Sequence, residues 1–326
     1  MSKFTATSFA QYKAEGKRVV MCTAYDVAQA RMAQAAGVDT ILVGDSLGNT
    51  MLGYGSTIPV TMDDMLRATA AVVRGASDTF IIADMPFMSY QISVEEGVRN
   101  AGRLIKEGGA AAVKVEGAAP RTVELVEMLG WAGIPVVGHL GLTPQSVNAL
   151  GGYKVQGKDT AAAVELAVGA EALSAVGAIA LVLECIPAEL ASYLTQRISC
   201  ATIGIGAGPG CDGEVQVFHD LCGLGGDFTP RHARHFVEGG AVLTAGLSDY
   251  AAAVRAGVFP AEEQTVHADE LVVDEVDTYL EMLLSGDDYE DFDDEDEDGG
   301  SDTPWRTGFQ LVDTSAQDPD YPTGAN

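Results

Sequence analysis

The feature that most constrains the fold of this chain is a series of seven short apolar runs between residues 17 and 260. None shows a clean alternation of apolar and polar residues, which is typical of strands buried on both faces of a parallel sheet. Amphipathic stretches of helical period separate the runs. The runs are Val19–Ala24, Thr40–Val43, Phe80–Ala83, Ala111–Val115, Pro135–Val137, Ala178–Leu183 and Ala201–Ile205. The amphipathic stretches include Val27–Ala36, Met62–Val73, Val94–Lys106, Arg121–Leu129 and Thr160–Ala175.

This repeated strand and helix pattern predicts an α/β fold, and specifically a (β/α)8 barrel of the TIM type. Seven βα units are clear from the sequence, and the eighth strand is harder to place. Our candidate for it is Asp220–Leu224. A doubly wound open sheet stays as an alternative, because one unassigned strand separates the two architectures.

The sequence predicts three parts along the chain. Residues 1–268 form the barrel domain, with a helical pattern continuing through Tyr250–Gly257. Residues 269–285 form an extra C-terminal helix, for which Glu270–Leu284 carries the pattern. Residues 286–326 contain the run DDYEDFDDEDED and too little apolar mass to form a core, so we expect a disordered acidic tail.

The charge distribution narrows the partners that we expect. The formal net charge is −28, but the segment from Asp269 onward holds 20 of the 47 acidic residues and one of the 19 basic residues, Arg306. Residues 1–268 therefore carry about −9 and lack the clustered Lys and Arg that nucleic-acid binding requires. No apolar run approaches the roughly 18 residues of a membrane helix. The N-terminus lacks the apolar segment of a secretory signal. We expect a cytoplasmic protein that binds neither nucleic acid nor membrane.

Polar residues follow five consecutive apolar runs at the point where each predicted strand ends. Barrel active sites lie at the carboxyl ends of the strands, so these side chains are predicted to share one site. Lys114 and Glu116 are two positions apart and therefore point to the same face of their strand. The five strands deliver Asp45, Asp84, Lys114 with Glu116, His139 and Glu184.

Taken singly, each of these residues has a structural explanation; Asp45, for instance, could cap a helix. Together they place several carboxylates at one end of a barrel, where a bound divalent cation would balance their mutual repulsion. Because no Cys/His cluster accompanies them, the carboxylates favour Mg²⁺ over Zn²⁺ as that cation. A metal chelated by a 2-oxo acid polarises its ketone and stabilises the enolate, while a lysine and a further carboxylate handle charge and protons. The pattern therefore predicts enolate chemistry on a small oxo acid.

The sequence also resembles the ketopantoate hydroxymethyltransferase family from about Phe4 to His267. The stretch GHLGLTPQSVNALGGYKVQG is the most specific part of the resemblance. The other matching stretches are TAYD (23–26), LVGDSLGNT (42–50), ADMPFMSY (83–90), VKVEG (113–117), LVLECIP (181–187) and IGIGAGPGCDGEVQVFHD (203–220).

The resemblance implies a role for each polar residue at the strand ends. Asp45, Asp84 and Glu116 match the Mg²⁺ positions, although Glu116 could act through water or Lys114 rather than as a direct ligand. Glu184 matches the proton acceptor, and His139 is implied as a possible secondary contact. Contacts to the oxo acid are implied for Asp45, Ser46, Asp84 and Lys114.

The implied reaction transfers a hydroxymethyl group from 5,10-methylenetetrahydrofolate to 3-methyl-2-oxobutanoate through a Mg²⁺-stabilised enolate. The product is 2-dehydropantoate (ketopantoate), a precursor of pantothenate and coenzyme A. The resemblance further implies a homo-oligomer, often a decamer. It does not indicate which group removes the first proton.

An alternative is a related Mg²⁺-dependent lyase or mutase of the phosphoenolpyruvate mutase/isocitrate lyase type, which shares the barrel and the acidic metal site. The sequence has no cysteine-centred catalytic loop of the kind that the lyases carry. Together with the HLGLTPQS block, this favours the hydroxymethyltransferase.

Overall fold

Eight parallel strands follow one another around a closed barrel in chain order. The structure is a computed structural model and describes residues 3–226 and 229–285. The first and last strands pair in parallel, which closes the sheet, confirms the predicted barrel and excludes the open doubly wound sheet. The strands are β1 (Val19–Thr23), β2 (Thr40–Val43), β3 (Phe80–Asp84), β4 (Ala112–Glu116), β5 (Val136–Gly141), β6 (Ala180–Glu184), β7 (Ala201–Ile205) and β8 (Gly213–Gln216).

The eighth strand was predicted in the wrong place. It is Gly213–Gln216, while the predicted strand at Asp220–Leu224 overlaps a short helix at Phe218–Leu221. The sequence GEVQ contains one large apolar residue, Val215, so composition does not mark it as a strand. Its place follows instead from backbone pairing with β1 on one side and β7 on the other.

Helices connect the strands, and several begin at capped positions. Thr61, Ser93 and Asp159 each accept a hydrogen bond from the backbone N–H three residues further on, which fixes where the following helix begins. The helices are α1 (Ser8–Glu15), α2 (Val27–Ala35), α3 (Leu47–Thr50), α4 (Met62–Gly75), α5 (Val94–Lys106), α6 (Pro120–Trp131), α7 (Val147–Leu150), α8 (Thr160–Ala175), α9 (Ala188–Arg197), α10 (Phe218–Leu221), α11 (Gly239–Arg255) and α12 (Glu270–Ser285), with 3₁₀ turns at Pro144–Ser146 and Glu262–Gln264.

The barrel interior explains where the polar residues lie. Side chains two apart on a strand share a face, and on three strands an inward row begins with apolar residues and ends with charge. Below the charged end, the row members pack in one buried apolar cluster, which Phe9 of α1 joins from the other end of the barrel. The rows are Phe80–Ile82–Asp84, Ala112–Lys114–Glu116 and Ala180–Val182–Glu184.

The chain divides into two compact units, Met1–Gly257 and Val258–Asn326. The first contains the barrel. In the second, the structure describes residues 258–285, including α12 where the extra C-terminal helix was predicted. The predicted domain boundary at residue 268 stays a prediction, and the predicted tail at 286–326 lies outside the described residues. In the described ranges, no helix has the length and apolarity needed to cross a membrane.

Candidate active site

The carboxyl ends of the strands surround a cavity of about 700 Å³. Of the predicted site residues, Asp84 alone does not line the cavity; it lies buried at the end of β3. Sheet pairing places Asp84 opposite Lys114 and Glu116 opposite His139. The structure therefore brings all seven predicted residues to one end of the barrel. The cavity lining includes Asp45, Ser46, Lys114, Glu116, His139 and Glu184.

Asp45 and Asp84 form a buried carboxylate pair. The backbone N–H of Asp45 donates to Oδ2 of Asp84 at 3.0 Å, which ties the end of β2 to the end of β3. Burial raises the pKa of Asp45 well above its usual value, and the charges of Asp84 and Glu116 raise it further. Burial also raises the pKa of Asp84, although the Lys114 ammonium opposes this effect. Ionising both carboxylates is thus costly in the protein alone.

Lys114 is the buried cation next to this pair. Its Nζ lies 3.0 Å from Asp84 Oδ1 and 3.9 Å from Glu116 Oε1. Burial disfavours its charged form, but the carboxylates of Asp84, Glu116 and Asp45 outweigh burial and raise the pKa of Lys114 above its usual value. The site therefore holds a fixed positive charge at its base.

His139 lies between two carboxylates. Its Nδ1 is 3.2 Å from Glu116 Oε1, and its Nε2 is 3.2 Å from Glu184 Oε2. Nδ1 is also 3.2 Å from the Lys114 ammonium. Burial and Lys114 lower the pKa of His139, but Glu116 and Glu184 prevail and raise it to about 9. His139 therefore connects the carboxylates on β4 and β6 electrostatically.

The cluster has more acidic groups than basic groups. Four carboxyl groups, those of Asp45, Asp84, Glu116 and Glu184, face two basic groups, Lys114 and His139, so full ionisation of the cluster would leave two negative charges that the protein does not offset. Asp84 Oδ1 and Glu116 Oε1 are buried without a partner in hydrogen-bond geometry among the described residues. Their contacts to Lys114 and His139 therefore have the distances of ion pairs but not the angles of hydrogen bonds.

The described part of the chain has no group of three His, Cys, Asp or Glu side chains already arranged to hold a metal ion. For Glu116, the structure instead shows protein partners. Its Oε2 accepts the backbone N–H of Gln145 at 3.0 Å; burial raises the pKa of Glu116, but His139, Lys114 and this N–H together hold it below its usual value. The donor set is thus a pair of carboxylates, Asp45 and Asp84, with Glu116 beside them.

Gln145 is a site residue that the sequence reasoning missed. Its side-chain Nε2 donates to Asp45 Oδ2 at 2.8 Å and to the backbone oxygen of Met85 at 2.9 Å. Its Oε1 accepts from the Tyr90 hydroxyl at 3.0 Å and from Gln91 Nε2 at 3.1 Å. Every hydrogen-bonding position of the buried amide is used, so the amide holds Asp45 in one orientation. Gln145 lies in the HLGLTPQS block, and this block is the sequence feature that could have marked it as a site residue.

A parallel barrel with buried carboxylates, a lysine and a histidine around one cavity defines the class of the protein: a barrel enzyme with an acidic site at the carboxyl ends of its strands. The family model for ketopantoate hydroxymethyltransferase matches residues 3–262. The chain therefore belongs to the ketopantoate hydroxymethyltransferase family. It is a transferase whose family name places it in pantothenate synthesis.

Curated relatives support the same assignment. A 3-methyl-2-oxobutanoate hydroxymethyltransferase of Acetivibrio thermocellus is 48% identical over 275 residues, covering 84% of this chain and 97% of that protein. One from a Geobacillus species is 52% identical over 256 residues, covering 78% of this chain and 91% of that protein. The resemblance inferred from the motifs is thereby confirmed over most of the chain.

Solved structures show the same fold at low sequence identity. A phosphonopyruvate hydrolase, solved with oxalate and Mg²⁺, has a TM-score of 0.54 at 12% identity, covering 88% of this chain and 99% of that chain. A 2,3-dimethylmalate lyase of the phosphoenolpyruvate mutase/isocitrate lyase superfamily has a TM-score of 0.53 at 17% identity, covering 87% and 99%. These likenesses establish the barrel, whereas the family match favours the hydroxymethyltransferase over the lyase alternative.

Proposed function

We propose that this site binds Mg²⁺ and 3-methyl-2-oxobutanoate and transfers to the oxo acid the methylene carbon of 5,10-methylenetetrahydrofolate, giving 2-dehydropantoate. The observation that carries the proposal is the excess of four carboxyl groups over two basic groups at this end of the barrel, whose full ionisation needs a further cation. A divalent cation offsets two charges, and an oxo acid supplies ligands that complete its coordination.

The carboxylates present fit Mg²⁺. This ion usually takes one or two carboxylates and leaves its other positions to water and substrate, so Asp45 and Asp84 suffice as the primary pair. Their raised pKa values are what a bound cation would relieve. Glu116 Oε2 accepts from the Gln145 backbone N–H, and Oε1 lies 3.2 Å from His139 Nδ1, so Glu116 would support the ion through water or through Lys114 more readily than as a direct ligand. When bound, Mg²⁺ would polarise the ketone of the oxo acid.

The protein's own side chains then bind the oxo acid and balance its charge. Ser46 lines the cavity beside Asp45 and is assigned to the substrate carboxylate. The Lys114 ammonium is assigned to the substrate oxygen that gains negative charge when the branched carbon loses its proton. His139, between Glu116 and Glu184, is a secondary contact that holds the Glu184 carboxylate toward the cavity.

Glu184 is assigned as the acid/base. Its side chain is 16% exposed, against 3% for Asp84 and Glu116, so it is the most accessible of these carboxylates to water and substrate. In the overall reaction, the donor's methylene carbon forms a bond with the branched carbon of the oxo acid. One water supplies the hydroxyl oxygen, and tetrahydrofolate leaves. Glu184 exchanges protons with the new hydroxyl group and the leaving amine.

A direct assay tests the proposal. Purified protein with Mg²⁺, 3-methyl-2-oxobutanoate and methylenetetrahydrofolate should form 2-dehydropantoate, detected by mass spectrometry. Removing Mg²⁺ with EDTA should abolish product, and re-adding Mg²⁺ should restore it. Product formation that is indifferent to EDTA would contradict the metal assignment. Cleavage of isocitrate-like acids instead would favour the lyase alternative.

The homo-oligomer that the resemblance implies stays a prediction. Size-exclusion chromatography with light scattering measures it on the purified chain. A mass of about ten chains would agree with the decamer, and a single-chain mass would contradict it.

A further inference from the structure

Three hydroxyl groups form a continuous chain that ends in the cavity. The backbone N–H of Phe218 donates to Thr23 Oγ1 at 2.9 Å. Thr23 Oγ1 donates to the Tyr25 phenol oxygen at 2.8 Å, and this oxygen lies 2.8 Å from Ser46 Oγ. Thr23 and Tyr25 are buried, and both Thr23 and Ser46 line the cavity. We call Thr23, Tyr25 and Ser46 the hydroxyl chain.

The first group fixes the direction of the hydroxyl chain. A backbone N–H can only donate, so Thr23 Oγ1 accepts a hydrogen bond from Phe218. The Thr23 hydroxyl in turn donates a hydrogen bond to the Tyr25 phenol oxygen. A phenol has one proton, and Tyr25 uses its acceptor side toward Thr23. The phenol also hydrogen-bonds with the Thr50 side chain. We assign the Tyr25 proton to Ser46 Oγ at 2.8 Å, and this assignment leaves the Ser46 proton available for another acceptor.

The Ser46 hydroxyl does not cap the helix that follows it. A serine before a helix normally caps it, but Ser46 makes no side-chain capping bond to α3. Its Oγ lies over Gly44, where a Cβ would come within 2.7 Å. The hydroxyl is thus held above a glycine, at the edge of the cavity and next to Asp45.

The surroundings of Tyr25 keep it a donor. Burial raises the pKa of Tyr25 to about 12, so the phenol holds its proton at neutral pH. Its ring packs against the His219 ring at a centroid distance of 5.7 Å, and burial lowers the pKa of His219. Both groups are therefore neutral at neutral pH.

We propose that Tyr25 is a positioning residue that orients the Ser46 hydroxyl as a donor to the carboxylate of the oxo acid. The inference rests on the proposed function, which places that carboxylate at Ser46. A hydroxyl that accepts one hydrogen bond donates a stronger one, and it loses less freedom when its acceptor arrives. The backbone N–H of Phe218 is thereby linked, through two buried hydroxyls, to substrate binding.

A double-mutant cycle separates this role from a merely structural one. The variants are Tyr25→Phe, Ser46→Ala and the two combined, each measured for the Kd of 3-methyl-2-oxobutanoate by calorimetry in Mg²⁺ and for KM and kcat. We expect Ser46→Ala to weaken binding of the oxo acid about tenfold and Tyr25→Phe about fivefold, the size of one hydrogen bond. In the Ser46→Ala background, Tyr25→Phe should add less than about twofold, because its effect passes through Ser46.

A matched control is Tyr12→Phe, which removes a phenol hydroxyl that donates to Asp39 at 3.4 Å, away from the cavity lining. It should leave the Kd unchanged. Should Tyr25→Phe not fold, Thr23→Val interrupts the same chain one group earlier and should weaken binding in the same Ser46-dependent way.

The outcomes distinguish the inference from the proposed function. An equal effect of Tyr25→Phe with and without Ser46, or no effect at all, would overturn the positioning role while leaving the reaction intact. Wild-type protein that neither binds the oxo acid nor forms product would overturn the proposed function, and the inference with it. Unchanged binding of the oxo acid in Ser46→Ala would show that Ser46 does not contact the substrate carboxylate, and it would overturn the positioning role of Tyr25 as well.

Discussion

Replacing Gln145 with Met tests whether this amide holds in place the carboxylates that we propose bind Mg²⁺. Met is close to Gln in volume and shape, so the substitution removes the hydrogen bonds without leaving a large cavity. The variant loses the bonds from Nε2 to Asp45 Oδ2 and to the Met85 backbone oxygen. It keeps the backbone N–H bond to Glu116 Oε2, because that bond does not involve the side chain.

The expected magnitude follows from these contacts. A hydrogen bond to a charged carboxylate contributes about 1.5–3 kcal/mol, and a buried carbonyl left without a partner costs about 1–3 kcal/mol. The Tyr90 hydroxyl also loses its acceptor on Gln145. We expect the free energy of unfolding at neutral pH to fall by about 3–5 kcal/mol. Mg²⁺ affinity should fall as well, by about 10- to 100-fold, because Asp45 is no longer held.

Urea unfolding monitored by circular dichroism measures the first quantity, and calorimetric titration with Mg²⁺ measures the second. The matched control is Gln156→Met, whose amide donates to the backbone oxygen of Lys154 in an exposed position. The control should change stability by less than about 0.5 kcal/mol. A loss below about 1 kcal/mol in Gln145→Met, with unchanged Mg²⁺ affinity, would refute the holding role.

Three further predictions test the site and its frame. Glu184→Gln should lower kcat by about 10²–10⁴ while leaving the Kd of the oxo acid within about threefold, measured by steady-state kinetics and calorimetry; full turnover would remove the acid/base assignment. In EDTA, the raised pKa values of Asp45 and Asp84 mean that the folded state binds protons more tightly than the unfolded state. Their contribution to stability therefore falls as pH rises above the ordinary carboxyl range toward those raised values, so the urea midpoint should fall over that range, and Mg²⁺ should reduce the fall. Gly141 has φ +96° and a Cβ there would lie 2.1 Å from the Glu184 carbonyl oxygen, so Gly141→Ala should cost more than about 3 kcal/mol. In contrast, Gly102→Ala, with open space around it in α5, should add about 0.5–1 kcal/mol; equal effects of the two substitutions on the thermal midpoint would contradict this reasoning.

The fold could be predicted from sequence where burial determines composition. Apart from the exposed Val20 of β1, seven strands are largely buried on both faces and therefore consist of apolar runs. The helices Val94–Lys106 and Thr160–Ala175 were predicted with the bounds that the structure has. The helix at Gly239–Arg255 was predicted only in its last part, and Ala188–Arg197 was not predicted. The prediction of the eighth strand failed because the place of this strand in the sheet depends on backbone pairing with β1 and β7 and not on its own composition.

The candidate site could be predicted as a set of positions but not as a network. The end of a strand is visible in sequence, so Asp84 and Glu184 could be placed at the end of the barrel that contains the cavity. The hydrogen bond from Gln145 to Asp45 joins residues 100 positions apart, and no pattern along the chain marks it. Tyr25 likewise stands out in the sequence only as part of the TAYD block. The role that we propose for it depends on the position of its hydroxyl between Thr23 and Ser46.

The inward rows that end in charge have a consequence for how this barrel can change. A shift of one residue in β3, β4 or β6 would turn the whole row outward, so folding and chemistry would be lost together. Substituting an apolar residue for Lys114 together with its carboxylate neighbours would instead extend the apolar interior by one layer. Buried ion pairs are often no more stabilising than such packing. We therefore expect a barrel substituted in this way to be at least as stable as this one but inactive, because the proposed reaction depends on the charged layer.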